Sequence, residues 1–112
     1  MNTREVATAM RNTANYLDSL EEFDLESSLF FSGSDKSINA SVSYWDKDNF
    51  VNAVKAIGNS TKKYDTDTEY PRLRVIAKDF PFEVNISRDK VCKKIVTFDC
   101  DPLFSAEEVE AL

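Results

Sequence analysis

Several acidic residues could bind a metal ion or take part in acid–base chemistry, but histidine is absent from the 112-residue sequence. Asp65, Asp67 and Glu69 alternate as the first oxygen ligands of a calcium loop do. The sixth and twelfth positions of such a loop would be Tyr70 and Ala77, where glycine and glutamate are needed. The spacing therefore favours a polar turn between strands, and neither a metal nor a cofactor is expected.

The two cysteines, Cys92 and Cys100, do not form a recognisable zinc or redox motif. Lysine and arginine side chains near Cys92 could activate its thiol as a nucleophile. Because no histidine can act as the usual partner base, a reduced cysteine that packs as a small hydrophobe is the favoured interpretation. The sequence predicts a protein that is not an enzyme and has no catalytic residues.

Charge is unevenly distributed along the chain, whose net charge is −6. Residues 1–59 carry 5 basic and 9 acidic side chains, residues 60–94 carry 9 and 6, and residues 95–112 carry none and 5. Acidic surfaces of this kind attract basic partners. The residues predicted to bind another protein lie in the two acidic regions: Glu21, Glu22, Asp24, Glu26, Asp99 and Asp101.

The basic middle region supports an alternative prediction, a nucleic-acid-binding sheet face. Basic residues near Tyr64 and Tyr70 resemble the mixture of cations and aromatic rings with which sheets bind single strands. The acidic flanks oppose this interpretation, because phosphate binding needs a positive potential. The residues that would bind nucleic acid are Lys62, Lys63, Arg72 and Arg74.

Three helices are predicted from hydrophobic periodicity and capping residues. The first covers residues 3–20, with Thr3 as its N-cap. The second begins after Asp46, with Trp45 packing on Phe50 as a hydrophobic staple, and ends at Gly58. A capping box at residues 105–108 opens a short final helix.

Alternating apolar residues predict the strands. The expected strands cover residues 25–31, 38–44, 61–64, 71–77 and 80–87, with a further strand or helical turn at 91–98. A turn is predicted at residues 32–36, and Pro81 is expected to precede its strand or lie at an edge.

These elements predict a single α+β domain over residues 1–112. The order α-β-β-α-β-β-β-(β)-short α favours a mostly antiparallel sheet of about five strands with two helices packed on one face. The helix between residues 44 and 61 could cross over and give the sheet one parallel neighbour.

The C-terminal third resembles the end of small uncharacterised proteins of actinobacteria and their phages. The resemblance lies in R-x-x-V-C-x-x-I-V at residues 88–96, followed by an aromatic-x-Cys-x-Pro-Leu segment at residues 98–103. In this sequence only Thr97 separates the two parts, whereas those proteins often contain a long connection there. The resemblance implies a phage-related intracellular protein and carries no activity or catalytic residue.

The leading hypothesis is a small non-enzymatic phage-type protein that binds a host or phage protein. A DNA-mimicking inhibitor or regulator is the sharper version, and nucleic acid is the second choice of partner. No apolar run reaches the roughly 20 residues of a membrane span, and no signal-peptide core is recognised, so the cytoplasm of the host cell is the expected location. The chain is expected to be a monomer or a homodimer, because sheet edges can pair.

Overall fold

A five-stranded sheet forms the centre of the protein. The computed structural model describes residues 1–34, 37–65, 72–87 and 105–112. The strands are β1 (Phe30–Ser34), β2 (Ser37–Tyr44), β3 (Ser60–Asp65), β4 (Arg72–Ala77) and β5 (Phe82–Ser87), and their order across the sheet is β1-β2-β5-β4-β3. The helices are α1 (Thr3–Asp18), α2 (Lys47–Ile57) and α3 (Ala106–Ala111). The predicted α+β class is confirmed.

The sheet is mixed because its central strand, β5, runs in the same direction as one of its neighbours, β2. β2 pairs with β5 in parallel, whereas β1–β2, β3–β4 and β4–β5 are antiparallel. The chain leaves β2 through α2 and then builds β3, β4 and β5 as a meander that returns to β2. The parallel pair therefore joins an N-terminal hairpin to a C-terminal meander, as a crossover through a helix allows.

One face of the sheet is buried beneath the helices. Tyr16 of α1 stacks on Phe80 with ring centroids 4.6 Å apart, and it also contacts Phe82. Phe50 of α2 meets the ring of Tyr44 edge-on at 6.1 Å. The strand residues on this face alternate with polar ones, and each is buried: Ala40, Val42, Tyr44, Leu73, Val75, Ala77, Phe82, Val84 and Ile86. Their removal from water is the main source of the fold's stability.

Two predicted N-terminal boundaries are wrong. The N-cap of α1 is Asn2 and not Thr3, because Asn2 forms a reciprocal capping box with Glu5, and the helix ends at Asp18. β1 begins at Phe30, whereas the alternation predicted a strand over 25–31 and a turn from residue 32. Pairing with β2 extends the strand through Gly33 to Ser34, so most of the predicted turn is strand.

The predicted limits of α2 are confirmed. The Asp46 side chain accepts a hydrogen bond from the backbone N–H of Asp48, and Gly58 ends the helix with φ of +70°, a conformation that favours glycine. The staple differs from the prediction, because Trp45 is 55% exposed and Phe50 instead meets the ring of the preceding residue, Tyr44.

The prediction for the start of β5 is confirmed. β5 begins after Pro81, as predicted for a residue that has no N–H to donate. The element predicted at residues 91–98, Cys92 and Cys100 lie outside the described residues. Within the described ranges, no helix has the length and apolar character needed to span a membrane.

The contacts that hold α3 against the helix-covered side of the molecule include a buried apolar residue and an ion pair. Val109 is buried, and Lys47 Nζ at the start of α2 lies 2.6 Å from Glu108 Oε2. The hydrogen bond from Lys47, followed by that from the Ser105 backbone N–H, lowers the pKa of Glu108 below its usual range. The ion pair therefore favours the folded state above the unfolded pKa of a glutamate and is lost as the pH falls through the lower folded pKa.

Replacing Lys47 with methionine is expected to raise the pKa of Glu108 towards its usual range. Methionine keeps an unbranched stem but donates no hydrogen bond. The Glu108 carboxylate therefore loses the hydrogen bond that contributes most to its lowered pKa. Carboxyl carbon NMR titration of the wild type and K47M measures this shift, with Glu107 as the internal control. An unchanged Glu108 midpoint in K47M contradicts the assigned contact.

Candidate protein-binding site

The first acidic region forms a compact surface between α1 and β1. We call residues 21–26 the acidic loop. The exposed carboxylates of Glu21, Glu22 and Asp24 border a shallow hollow of about 360 Å³. The other residues lining the hollow are Phe23 of the loop and three α2 residues, Asn52, Lys55 and Ala56. Three carboxylates against one ammonium give this hollow a negative balance of charge.

Glu26 has a different role from the other acidic residues, because its carboxylate binds the start of α2. Its oxygens accept hydrogen bonds from the backbone N–H groups of Trp45, at 3.1 Å, and Asp46, at 3.2 Å. The side-chain amide of Asn49 donates a third bond at 2.8 Å. A carboxylate at a helix N-terminus satisfies unpaired donors and interacts favourably with the helix dipole. Glu26 therefore fixes the loop to the start of α2.

Two hydrogen bonds from β2 also hold the acidic loop and the residue that follows it. The Tyr44 hydroxyl donates to the carbonyl oxygen of Asp24 at 2.7 Å, and the backbone N–H of Ser43 donates to Ser27 Oγ at 3.1 Å. Burial, assisted by the nearby carboxylates of Glu26 and Asp24, raises the pKa of Tyr44 far above its ordinary value. The hydroxyl consequently stays protonated and remains a donor at any physiological pH.

An aromatic residue inside the loop anchors it from below. Phe23 is half-buried and meets Phe82 of β5 edge-on, with ring centroids 6.5 Å apart. Edge-to-face pairs contribute about 0.5–1.5 kcal/mol beyond their buried area. Apolar packing and hydrogen bonds thus hold the loop at several points while Glu21 and Glu22 remain exposed.

Of the other predicted protein-binding residues, and of the carboxylates considered and rejected as a calcium loop, Asp65 alone lies within the described residues. Asp99 and Asp101 lie outside the described residues, as do Asp67 and Glu69, and Asp65 ends β3. In the part of the chain that the structure describes, no group of three or more cysteine and carboxylate side chains is placed to hold a metal ion.

The four predicted nucleic-acid-binding residues are divided between the two faces of the sheet. Lys62 stands opposite the buried Val75, so it belongs to the helix-covered face, where its Nζ lies 3.4 Å from the Glu110 carbonyl oxygen. Lys63, Arg72 and Arg74 lie on the other face, which we call the second face. Tyr64 is on the helix-covered side with Lys62, and Tyr70 lies outside the described residues.

The charge of Arg74 is already compensated on the second face. Its guanidinium lies 2.6 Å from Glu83 Oε1, and its Nε donates to the same oxygen at 2.8 Å. The Asn85 side chain, 4% exposed, donates to the other Glu83 oxygen at 3.1 Å. Lys63 stands directly opposite Arg74 on this face, so the Glu83 carboxylate offsets a like-charge pair that would otherwise destabilise the sheet.

Comparison with known proteins found no matching family model, curated protein or solved structure. The candidate protein-binding site is therefore identified from the positions and contacts of its own residues. The anchoring roles of Glu26, Ser27 and Tyr44 were not predicted from the sequence. The one local signal was Tyr44, which ends an alternating strand with a large side chain on the buried face.

Replacing Glu26 with alanine is expected to lower the free energy of unfolding by about 2 kcal/mol, because hydrogen bonds to a charged group contribute about 1.5–3 kcal/mol. Urea unfolding followed by circular dichroism measures the change. Glu22→Ala removes an exposed carboxylate from the same loop and serves as the control, with an expected change within about 0.5 kcal/mol. Equal losses in the two variants contradict the anchoring role of Glu26.

Proposed function

We propose that this chain is a non-enzymatic binding protein whose acidic loop contacts a basic surface of another protein. The observation that carries the proposal is the hollow bordered by Glu21, Glu22 and Asp24, with Lys55 as the cation among its lining residues. Carboxylates grouped in this way fit an arginine or lysine side chain, whose N–H donors form strong charge-assisted hydrogen bonds with them.

The anchored backbone strengthens the proposal. A loop that is ordered before binding avoids the entropic cost of becoming ordered in the complex. Glu26, Tyr44 and Phe23 each hold the acidic loop by contacts that leave Glu21 and Glu22 available to a partner. The loop thus presents its charges in a defined arrangement.

Overall charge supports a basic partner. The net charge of −6 attracts cationic surfaces over a distance of about one Debye length and speeds association with them. A DNA-binding protein offers a surface of this kind, and a DNA-mimicking inhibitor or regulator is the sharper form of the proposal. The resemblance of residues 88–103 to actinobacterial and phage proteins favours a host or phage protein in the cytoplasm as that partner.

The absence of histidine from the whole sequence supports the non-enzymatic part of the proposal. Histidine is the commonest general base near neutral pH and activates serine and cysteine nucleophiles in most acyl-transfer sites. A binding role needs none of this chemistry.

Nucleic-acid binding through the basic residues has weaker support. Lys62 is separated from the other three by the sheet, and Arg74 is paired with Glu83. Single-strand binding by a sheet also relies on aromatic rings beside the cations, whereas Tyr64 lies on the opposite face from Lys63. A salt-dependent affinity for single-stranded DNA that is lost in K63Q/R72Q would favour this alternative over the acidic loop.

Neutralising the hollow is expected to remove binding to a basic partner. The test variant is E21Q/E22Q/D24N, and the control is D48N/D79N/E107Q, which removes the same charge from exposed positions on other elements. An oligo-arginine peptide provides the defined probe, measured by calorimetry at low and high salt. We expect the loop variant to weaken binding about tenfold and the control about twofold, since close charge pairs contribute more than distant ones.

The same three proteins can then be immobilised to capture partners from host lysate. A protein retained by the wild type and by the control, but not by the loop variant, is the expected result. If the loop variant and the control lose peptide binding equally, only total charge matters and the proposed site is wrong. Binding that does not change with salt contradicts the electrostatic basis of the proposal.

A further inference from the structure

The outer edge of β1 offers a surface that the acidic-loop proposal does not use. β1 is the first strand of the sheet order, and among the described residues its only strand partner is β2. Phe30, at the beginning of the strand, is 61% exposed. An uncovered strand edge is a template for pairing with another strand.

The hydrogen bonds of β2 identify which β1 groups point outwards. The N–H of Ala40 donates to the Pro81 carbonyl oxygen, so Ala40 faces β5, and the residues on either side of it face β1. Asn39 is paired with Ser32 in this register. It follows that Ser32 bonds inwards, and the backbone N–H and C=O groups of Phe31 and Gly33 point away from the sheet.

The two sheet edges differ in charge. β1 reads Phe-Phe-Ser-Gly-Ser and contains no charged residue. The other edge strand, β3, carries Lys62 and Lys63 in its middle. Lysines on an edge are a common device against self-pairing, because two copies would bring like charges together. Among the edge strands of the described sheet, β1 lacks this protection.

We infer that the β1 edge is the interface at which a second copy of this chain pairs in antiparallel orientation. The register that pairs all of Phe30–Ser34 places the two-fold axis at Ser32, so that each Ser32 faces its symmetry mate. Phe31 of one copy then stands opposite Gly33 of the other, and each donates and accepts through its outward backbone groups.

Glycine at position 33 is required by its own chain. A Cβ at this position would lie 3.0 Å from Met1 Sδ and 3.3 Å from Ile38 Cγ1, so the site is crowded. Pairing of the two β1 edges joins the sheets of the two copies into one continuous sheet. The exposed Phe30 side chains then lie beside the β1–β1 pair.

Ser32→Lys is the direct test, because the symmetry places the two introduced lysines opposite each other. Sedimentation equilibrium over a wide concentration range measures the dimer dissociation constant, which we expect to rise about fivefold, the effect of like charges directly opposed across a strand pair. Asn39→Lys is the matched control. It adds the same charge to the same face, one strand further in, so that the two lysines lie three strand spacings apart, roughly 14 Å, and are screened.

A charge-swap experiment separates pairing from misfolding. S32K and S32E are each expected to dimerise weakly, whereas their mixture forms a heterodimer detected by native mass spectrometry. Misfolding of either variant cannot produce this recovery. A wild type that stays monomeric up to roughly millimolar concentration, the range of weak association, overturns the inference, as does an equal effect of N39K and S32K. Neither result bears on the acidic loop, since Ser32 does not line its hollow.

Discussion

The carboxylate of Glu26 connects the acidic loop to the start of α2. It belongs to the loop that follows α1, yet its oxygens bind backbone N–H groups at the start of α2. The unpaired donors of a helix N-terminus need an acceptor, and a carboxylate is the strongest that a side chain can supply. One contact therefore completes the capping of a core helix and also fixes the position of the acidic loop.

The sheet explains why this contact is available. Parallel pairing of β2 with β5 places α2 across the centre of the buried face, with Phe50 against Tyr44. Tyr44 is fully enclosed and directs its hydroxyl to the Asp24 carbonyl oxygen. The same strand that contributes to the core consequently holds the acidic loop, so the exposed charges of the loop are supported by buried residues.

Local signals were sufficient to predict part of this structure. Asp46 and Gly58 define α2 through capping chemistry that depends on neighbouring residues alone. The alternation in β2 likewise predicted its buried face. β1 was misplaced because residues before Phe30 are held by tertiary contacts from Glu26 and Ser27, and such contacts leave no periodic signal in the sequence.

In the candidate site, too, local features were predicted from the sequence and tertiary contacts were not. The charges of Glu21, Glu22 and Asp24 were evident, but the anchoring role of Glu26 requires a helix start about 20 residues away along the chain. For the basic residues, strand alternation alone places Arg72 and Arg74 on one face and separates the adjacent Lys62 and Lys63. The neutralising contact from Glu83 depends on β4–β5 register, which alternation does not specify.

The acidic loop can present its charges in a defined arrangement because it is ordered before a partner binds, and backbone ¹⁵N relaxation measures this order. We expect order parameters near 0.85 for residues 21–26, equal to those of α1 and α2, with a decrease confined to this loop in the E26A variant. Order parameters below about 0.6 in the wild-type loop would contradict it, because the charges would then have no fixed arrangement to offer a partner.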